Sequence, residues 1–498
     1  MNAQTQPNPA ALKATLRGRN QQLLIGGQWR DASSGETLDV LDPATGENFA
    51  KAAAGGAADI DQAVKAARKA FEHGPWRTTS PNERARLLWK LSDVIEAHAD
   101  ELALLEALDN GMPLWLAQMW NVPKAVDCLR YYSGWPTRLT GETLPVSSPG
   151  EYHTYTRREA VGVVGQIVAW NMPFGMAVGK IAPALAAGCT VVLKPAEQTP
   201  LSAVRLGQLI QEVGFLDGVV NIVTGTGPSA GRPLVEHPDV DKIAFTGSTA
   251  VGKSILSAAG AGLKRVTLEL GGKSPVIIFP DADLDGATVA AANGIFINTG
   301  QICAAGSRLF IHERIYDRVM EGVVNQARNL KIGPGAEPGT FMGPVVSAKQ
   351  RDRITGYIRA GGEQGAEIVA GEQSLPSQGF FVRPTVLSNV LPEMSVMREE
   401  IFGPVVCATR FSDEDLDNIA RFANDTSYGL SAYIWTRNVS IAHKLASRIR
   451  AGSISVNGGA GMDFTMPFGG YKHSGLGREH GREGVEAYTE IKTVSITL

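Results

Sequence analysis

Cys303 and Glu269 are the residues whose types and spacing could do covalent chemistry together. Cys303 closes the small, polar segment Phe296-Ile-Asn-Thr-Gly-Gln-Ile-Cys303, and Glu269 stands 34 positions earlier in Leu268-Glu269-Leu-Gly-Gly-Lys-Ser-Pro275. A thiolate is a nucleophile, and a carboxylate flanked by leucines is desolvated, which raises its pKa toward that of a working general base. An inert buried thiol is the default for a free cysteine. Cys128, Cys189 and Cys407 fit that default, Cys189 at a helix-to-strand turn and Cys407 within an apolar run.

A rival signal lies close by. Gly247-Ser-Thr-Ala-Val-Gly252-Lys253-Ser254 has the letters of an ATPase phosphate loop, follows a strand and opens a helix, as such a loop requires. Val276–Phe279 followed by Pro280-Asp281 even has the form of the apolar strand and acid that hold magnesium. The pattern is short, however, in a chain with 56 glycines among 498 residues, and a helix N-terminus behind glycines binds any phosphate, a dinucleotide pyrophosphate included. No GxGxxG fingerprint is present. Alone, the loop implies phosphate binding and leaves the nucleotide open.

The elements that must position these groups alternate. Ile60–Phe71 and Ala85–His98 carry apolar residues at helical spacing. Val161–Trp170 reads as a strand, and Pro173 suits a first helical turn leading into Ala-rich Met176–Ala187. Strands are expected at Thr190–Leu193, Val219–Val223, Lys242–Phe245, Val266–Leu270 and Pro275–Phe279, with helices at Leu201–Val213 and Ala250–Ala259. This rhythm predicts an α/β fold with mostly parallel sheet covered by helices. A second helix-and-strand block runs from Asp281 to Gly470. The tail Glu490–Leu498 and the stretch Pro145–Arg157 read as strands without local partners, which suggests an arm pairing between subunits, or else an edge pairing within one subunit.

Length alone implies two or three domains. Apolar residues make up 44% and charged residues 19%, with 47 basic and 50 acidic side chains spread evenly, so neither a nucleic-acid partner nor an acidic interaction tail is indicated. No apolar run is long enough to span a membrane. Four scattered cysteines without a CxxC pair read as reduced thiols, hence a cytoplasmic setting. Met1–Asn20, with three basic residues, no acid and no apolar core, reads as a polar, frayed arm. The eight histidines form no metal-ligand spacing, so no metal is expected.

Seven segments occur in a specific order. They are Ile167-Val-Ala-Trp-Asn171-Met-Pro-Phe174, Val191-Val-Leu-Lys194-Pro-Ala-Glu197, Phe245-Thr-Gly-Ser-Thr249, Leu268-Glu-Leu-Gly-Gly-Lys273, Asn298–Cys303, Glu399-Glu-Ile-Phe-Gly-Pro404 and Pro467-Phe-Gly-Gly-Tyr-Lys472. The set resembles the aldehyde dehydrogenase superfamily from about residue 22 to 498. The resemblance implies a Rossmann-type cofactor domain (21–140 and 159–271), an α/β catalytic domain (272–480), a small β oligomerisation arm (141–158 and 481–498) and a flexible arm over 1–20. It implies a homodimer or homotetramer, with Cys303 as nucleophile, Asn171 as oxyanion donor and Glu269 as the base that hydrolyses a thioester. The branch that passes the acyl group to coenzyme A generally lacks this glutamate, so an acid product follows. Glu479 resembles a secondary acid with a proton-relay role. Trp170, Lys194, Glu197, Gly247, Ser248, Gly252, Glu400 and Phe402 match cofactor-binding positions. A Glu197 carboxylate accepting from a ribose 2′-OH would repel a 2′-phosphate, so NAD is favoured over NADP.

The channel positions are Met172, Met176, Gly179, Ile297, Met462 and Phe468. Many relatives carry an aromatic where Gly179 falls, so a wider tunnel is expected, and methionine-rich walls suit apolar ligands. The expected substrate is an aromatic or medium-chain aldehyde such as phenylacetaldehyde. A semialdehyde or betaine aldehyde is the alternative, and a P-loop NTPase or a non-catalytic structural protein are remote ones.

Overall fold

The computed structural model describes residues 8–371, 374–412, 415–459 and 463–498. Two large sheets organise it. The first has eight strands in the order Gly475–Leu476, Arg265–Glu269, Lys242–Thr246, Val163–Ile167, Thr190–Lys194, Val220–Ile222, Leu23–Ile25 and Gln28–Arg30. Its five central strands are parallel, with antiparallel additions at both edges. Numbered by chain position, those five run 3-2-1-4-5, the doubly wound order. The strands are buried along nearly their whole length, which explains their β-branched runs.

The chain leaves this sheet at Glu269 and enters the second at Pro275. The second sheet has seven strands, in the order Glu367–Ala370, Thr385–Ser388, Val405–Phe411, Arg308–His312, Pro275–Ile278, Ser431–Trp435 and Ser453–Val456, all parallel except the first. Five residues of linker between the two sheets force the carboxyl edge of one to face the amino edge of the other. The loops that precede Arg308 and Val405 therefore meet the loops that follow Ile167, Thr246 and Glu269.

Helix Pro173–Ala187 is buried on almost every face, as its all-round apolar sequence requires, and stops at Gly188 in the left-handed conformation (φ 96°). Helix Leu201–Val213 has the bounds its apolar spacing predicts. The β-branched run from Val161 is shorter as a strand than expected: it ends at Ile167, and residues 168–172 form a turn.

Two further expectations change. The tail strand Thr489–Thr497 and the strand Tyr152–Ala160 are each other's partners, antiparallel over nine residues within one chain, with Thr143–Leu144 outside them. The stretch expected to be a frayed arm holds a helix, Pro9–Arg17. Asn8 Oδ1 caps it by accepting from Ala10 N at 2.9 Å, Leu12 and Leu16 pack beside Val40 and Phe49, and Lys13 pairs with Asp42. Among the described residues no helix is long and apolar enough to cross a membrane.

Candidate active site

Strand register delivers the first half of the site. Ile167 pairs with both Lys194 and Phe245, and Thr246 pairs with Glu269. The Trp170-Asn171 turn, Lys194, Gly247 and Glu269 thus emerge side by side on one sheet edge. That edge contains the switch point between Val163–Ile167 and Lys242–Thr246, where doubly wound sheets bind ligands.

The second half is the loop before Arg308. After helix Leu284–Phe296, Asn298 (φ 50°) and Thr299 (φ 56°) are left-handed, a strained state for a β-branched threonine, and Gly300 follows at φ 68°. Three contacts hold the turn: Asn298 Nδ2 donates to Asn171 O (2.9 Å), Thr299 Oγ1 to Gly343 O (3.0 Å), and Val346 N to Gln301 Oε1 (3.0 Å). Asn171 Nδ2 in turn donates to Gln301 O at 2.8 Å, which leaves its second amide hydrogen free for a ligand.

The paired glycines after Glu269 seat both halves. A Cβ on Gly272 would lie 2.3 Å from the Cys303 carbonyl oxygen, and one on Gly271 would lie 2.2 Å from Glu400 Oε2. Only glycine lets the Cys303 loop and Glu400 approach the strand end so closely. Gly469 has the same role beside Glu269, whose Oε1 would stand 2.8 Å from an added Cβ.

Of the four cysteines, Cys303 alone keeps solvent exposure; Cys128, Cys189 and Cys407 are buried. Burial of its sulfur, with the Glu400 and Glu269 charges adding to the effect, pushes the Cys303 thiol up to about 12, so a base must take its proton before attack. Glu269 is 4% exposed, and neither carboxyl oxygen has a hydrogen-bond partner. Burial holds it well above the carboxylate range, and the neighbouring Glu479 charge pushes the same way, against Lys180 and Arg478. Glu479 forms an ion pair with Lys180, which is almost wholly buried. Lys180 was missed from sequence, although it is the one charge in an otherwise apolar helix, and a charge so placed needs a buried partner.

The expected outcome of Glu479→Gln follows from these signs. Removing a negative charge beside Glu269 stabilises its ionised form, so its pKa falls. Activity that rises as Glu269 deprotonates should then rise at lower pH, and the acid limb of a kcat/KM profile against pH moves down. A limb that stays in place or moves up contradicts the coupling.

The cofactor positions converge as well. The Trp170 and Phe402 rings meet edge to face, centroids 5.2 Å apart, across the gap between the sheets. Phe402 is held left-handed (φ 59°). Buried Lys194 donates from Nζ to Pro195 O (2.8 Å) and Glu197 Oε2 (3.3 Å), and the partly exposed Glu197 carboxylate is within reach of a ribose hydroxyl. Ser248 caps helix Thr249–Ala261 and is exposed, so the helix N-terminus is open to a pyrophosphate. An added Cβ on Gly252 would lie 2.5 Å from Leu270, which explains that glycine by helix–strand packing. These residues fit a dinucleotide. Glu400, expected at the nicotinamide ribose, turns its carboxylate to Gly272 N (3.0 Å) and is raised to about 7 by burial. Beside it lies a narrow cleft lined by Gly272, Gly300, Ile302 and Phe402.

The ATPase alternative fails on topology. Lys253 is exposed, and Asp281 lies in the turn after strand Pro275–Ile278 of the second sheet, where its carboxylate accepts from Thr436 Oγ1 (2.9 Å) and Arg437 N (3.0 Å). Among the described residues no cluster of His, Cys, Asp and Glu could hold a metal ion.

Of the channel positions, Met172 belongs to the large apolar cluster under the site, and Met176 and Ile297 pack against it. A Cβ on Gly179 would meet nothing within 4 Å. The Phe468 ring lies 5.8 Å from His480, and its backbone bridges to Glu479. Met462 lies outside the described residues.

The open helix N-terminus on one sheet and the Cys303 loop facing it fit an NAD-dependent oxidoreductase. The model of the aldehyde dehydrogenase family matches residues 29–494, and the chain belongs to that family. It is 46% identical to aldehyde dehydrogenase 1A1 of Gallus gallus over 492 residues, 98% of this chain and 96% of the relative. It is also 46% identical to phenylacetaldehyde dehydrogenase of Pseudomonas fluorescens over 481 residues, 95% of each chain. The solved NAD+ complex of aldehyde dehydrogenase from Bacillus cereus superposes with a TM-score of 0.96 at 46% identity, covering 99% of both chains.

Proposed function

We propose that this enzyme oxidises an apolar aldehyde to its carboxylic acid through a thioester on Cys303. NAD is the cofactor, and when bound it supplies the hydride acceptor. Glu269 takes the Cys303 proton, and the thiolate forms a C–S bond to the aldehyde carbon. The oxygen gains the negative charge, which Asn171 Nδ2 and the Cys303 backbone N–H stabilise. Hydride loss removes two electrons from that carbon and leaves the thioester. Glu479, paired with Lys180, carries that first proton away, and the Glu269 carboxylate is free again. Glu269 then takes a proton from water as the water adds to the thioester carbon, the C–S bond breaks, the acid departs, and the leaving thiolate takes the proton from Glu269 to restore the thiol. The observation that carries this reading is the Gly271-Gly272 pair, which seats the Cys303 loop against the strand end that holds a buried, unpartnered carboxylate.

Residues 21–140 and 159–271 form the NAD-binding domain and 272–480 the catalytic domain. The sheet contributed by 141–158 and 481–498 serves assembly into a homodimer or homotetramer. The substrate class rests on the apolar surfaces of Met172, Met176 and Ile297, on the open space at Gly179, and on similarity to the Pseudomonas fluorescens phenylacetaldehyde dehydrogenase. In a kcat/KM comparison read by NADH absorbance, phenylacetaldehyde and hexanal should exceed succinic semialdehyde and betaine aldehyde by about 10-fold or more. Gly179→Phe should narrow that margin by excluding the aromatic substrate. A preference for either polar aldehyde contradicts the substrate assignment.

A further inference from the structure

Residues 168–172 join strand Val163–Ile167 to helix Pro173–Ala187, and their buried backbone groups need partners from elsewhere. One such partner, and one for the first turn of the helix that follows, come from the end of helix Ala99–Asp109. Asn110, which caps that helix, donates from Nδ2 to Trp170 O at 2.7 Å. Glu106, one turn earlier, accepts through Oε2 from Phe174 N (3.4 Å) and from Asn121 Nδ2 (2.7 Å). The close seating is specific, since a Cβ on Gly175 would lie 2.5 Å from Asn121 Oδ1. Both Glu106 and Asn110 are fully buried; Asn110 Oδ1 has no hydrogen-bond partner, and burial raises the Glu106 carboxyl to about 7. An unsatisfied buried oxygen is destabilising, so packing alone does not account for Asn110.

We propose that Asn110 is a positioning residue for Asn171, with Glu106 bracing the other side of the same turn; this rests on the reading of Asn171 as the oxyanion donor. Asn110 fixes the carbonyl one residue before Asn171, and Glu106 fixes the N–H three residues after it. The carboxamide between them is aimed at the Cys303 loop, where Nδ2 already meets Gln301 O at 2.8 Å. An oxyanion donor acts only at hydrogen-bond distance from the developing charge, and a misplacement of about 1 Å costs on the order of 10²-fold in rate.

A double-mutant cycle tests this. Asn110→Ala, Asn171→Ala and the double variant are compared by initial NADH formation, NAD dissociation constant and thermal midpoint. Asn110→Ala should lower kcat/KM about 10- to 10²-fold with the NAD dissociation constant changed less than about two-fold. Asn171→Ala should lower kcat/KM about 10²- to 10³-fold, and the double variant should fall no further. If Asn110→Ala costs nothing, or the same in both backgrounds, Asn110 supports stability alone and the proposal is overturned. Full activity in Asn171→Ala overturns the underlying oxyanion reading instead. Asn110→Ser, whose hydroxyl is too short to reach Trp170 O, enters the same cycle should the alanine variant not fold.

Discussion

Cys303→Ala is expected to reduce aldehyde-dependent NADH formation by on the order of 10⁴-fold or more, because the covalent path loses the atom that carries the acyl group. No other thiol can replace it. Cys128 and Cys189 are buried in the apolar cluster of the first sheet and Cys407 in one of the second, away from the facing loops. The proposed dinucleotide seat, at Lys194, Glu197 and the start of helix Thr249–Ala261, is not touched by the substitution. NAD binding, followed by fluorescence titration, should therefore persist in the inactive variant. Inactivity together with lost NAD binding would point to a damaged fold, and undiminished NADH formation would remove Cys303 from the reaction.

Glu269→Gln is expected to separate the two halves of the reaction. Its carboxylate charge is one of the causes that raise the Cys303 thiol, so a neutral amide makes the thiolate easier to form. Acylation then depends on water to take the Cys303 proton and should slow, but less than hydrolysis, so a first equivalent of NADH per site should still appear as a burst. Hydrolysis loses its base and should slow about 10²- to 10⁴-fold, leaving a low steady rate after the burst. The pH dependence of the parent has the matching sign. Glu269 is held above the carboxylate range, so the ionised base grows as pH rises through that raised value, and turnover rises with it. In the glutamine variant this ionisation should vanish from the steady-state profile. A steady rate equal to the parent, without a burst, would assign the hydrolysis base to another group.

The fold was legible where signals are local. Apolar spacing located helix Leu201–Val213, and β-branched runs located the parallel strands, because both patterns record burial on a single element. The ordered motifs also located the loops that converge on Cys303. Illegible were the features made by contacts distant in sequence. The Lys180–Glu479 pair spans 299 positions, and the tail's pairing with Tyr152–Ala160 spans more than 300. The Gly271-Gly272 pair was visible, but its reason, the Cys303 carbonyl and the Glu400 carboxylate on either side, appears only once two sheets face each other. Asn110 carried no signal of its own, since an asparagine after a helix reads as an ordinary cap. The N-terminal helix was missed because its polar composition hid an Asn-Pro start and two leucines that find a surface built by residues 40 and 49.

The central claim is that the acyl group rests on Cys303 until Glu269 releases it. The most direct measurement is mass spectrometry of peptides from Glu269→Gln, quenched in acid just after the NADH burst with phenylacetaldehyde. One acyl adduct per chain is expected, on the peptide that contains Cys303, with its amount matching the burst. A burst without any adduct, or an adduct on a peptide containing a different cysteine, would contradict it.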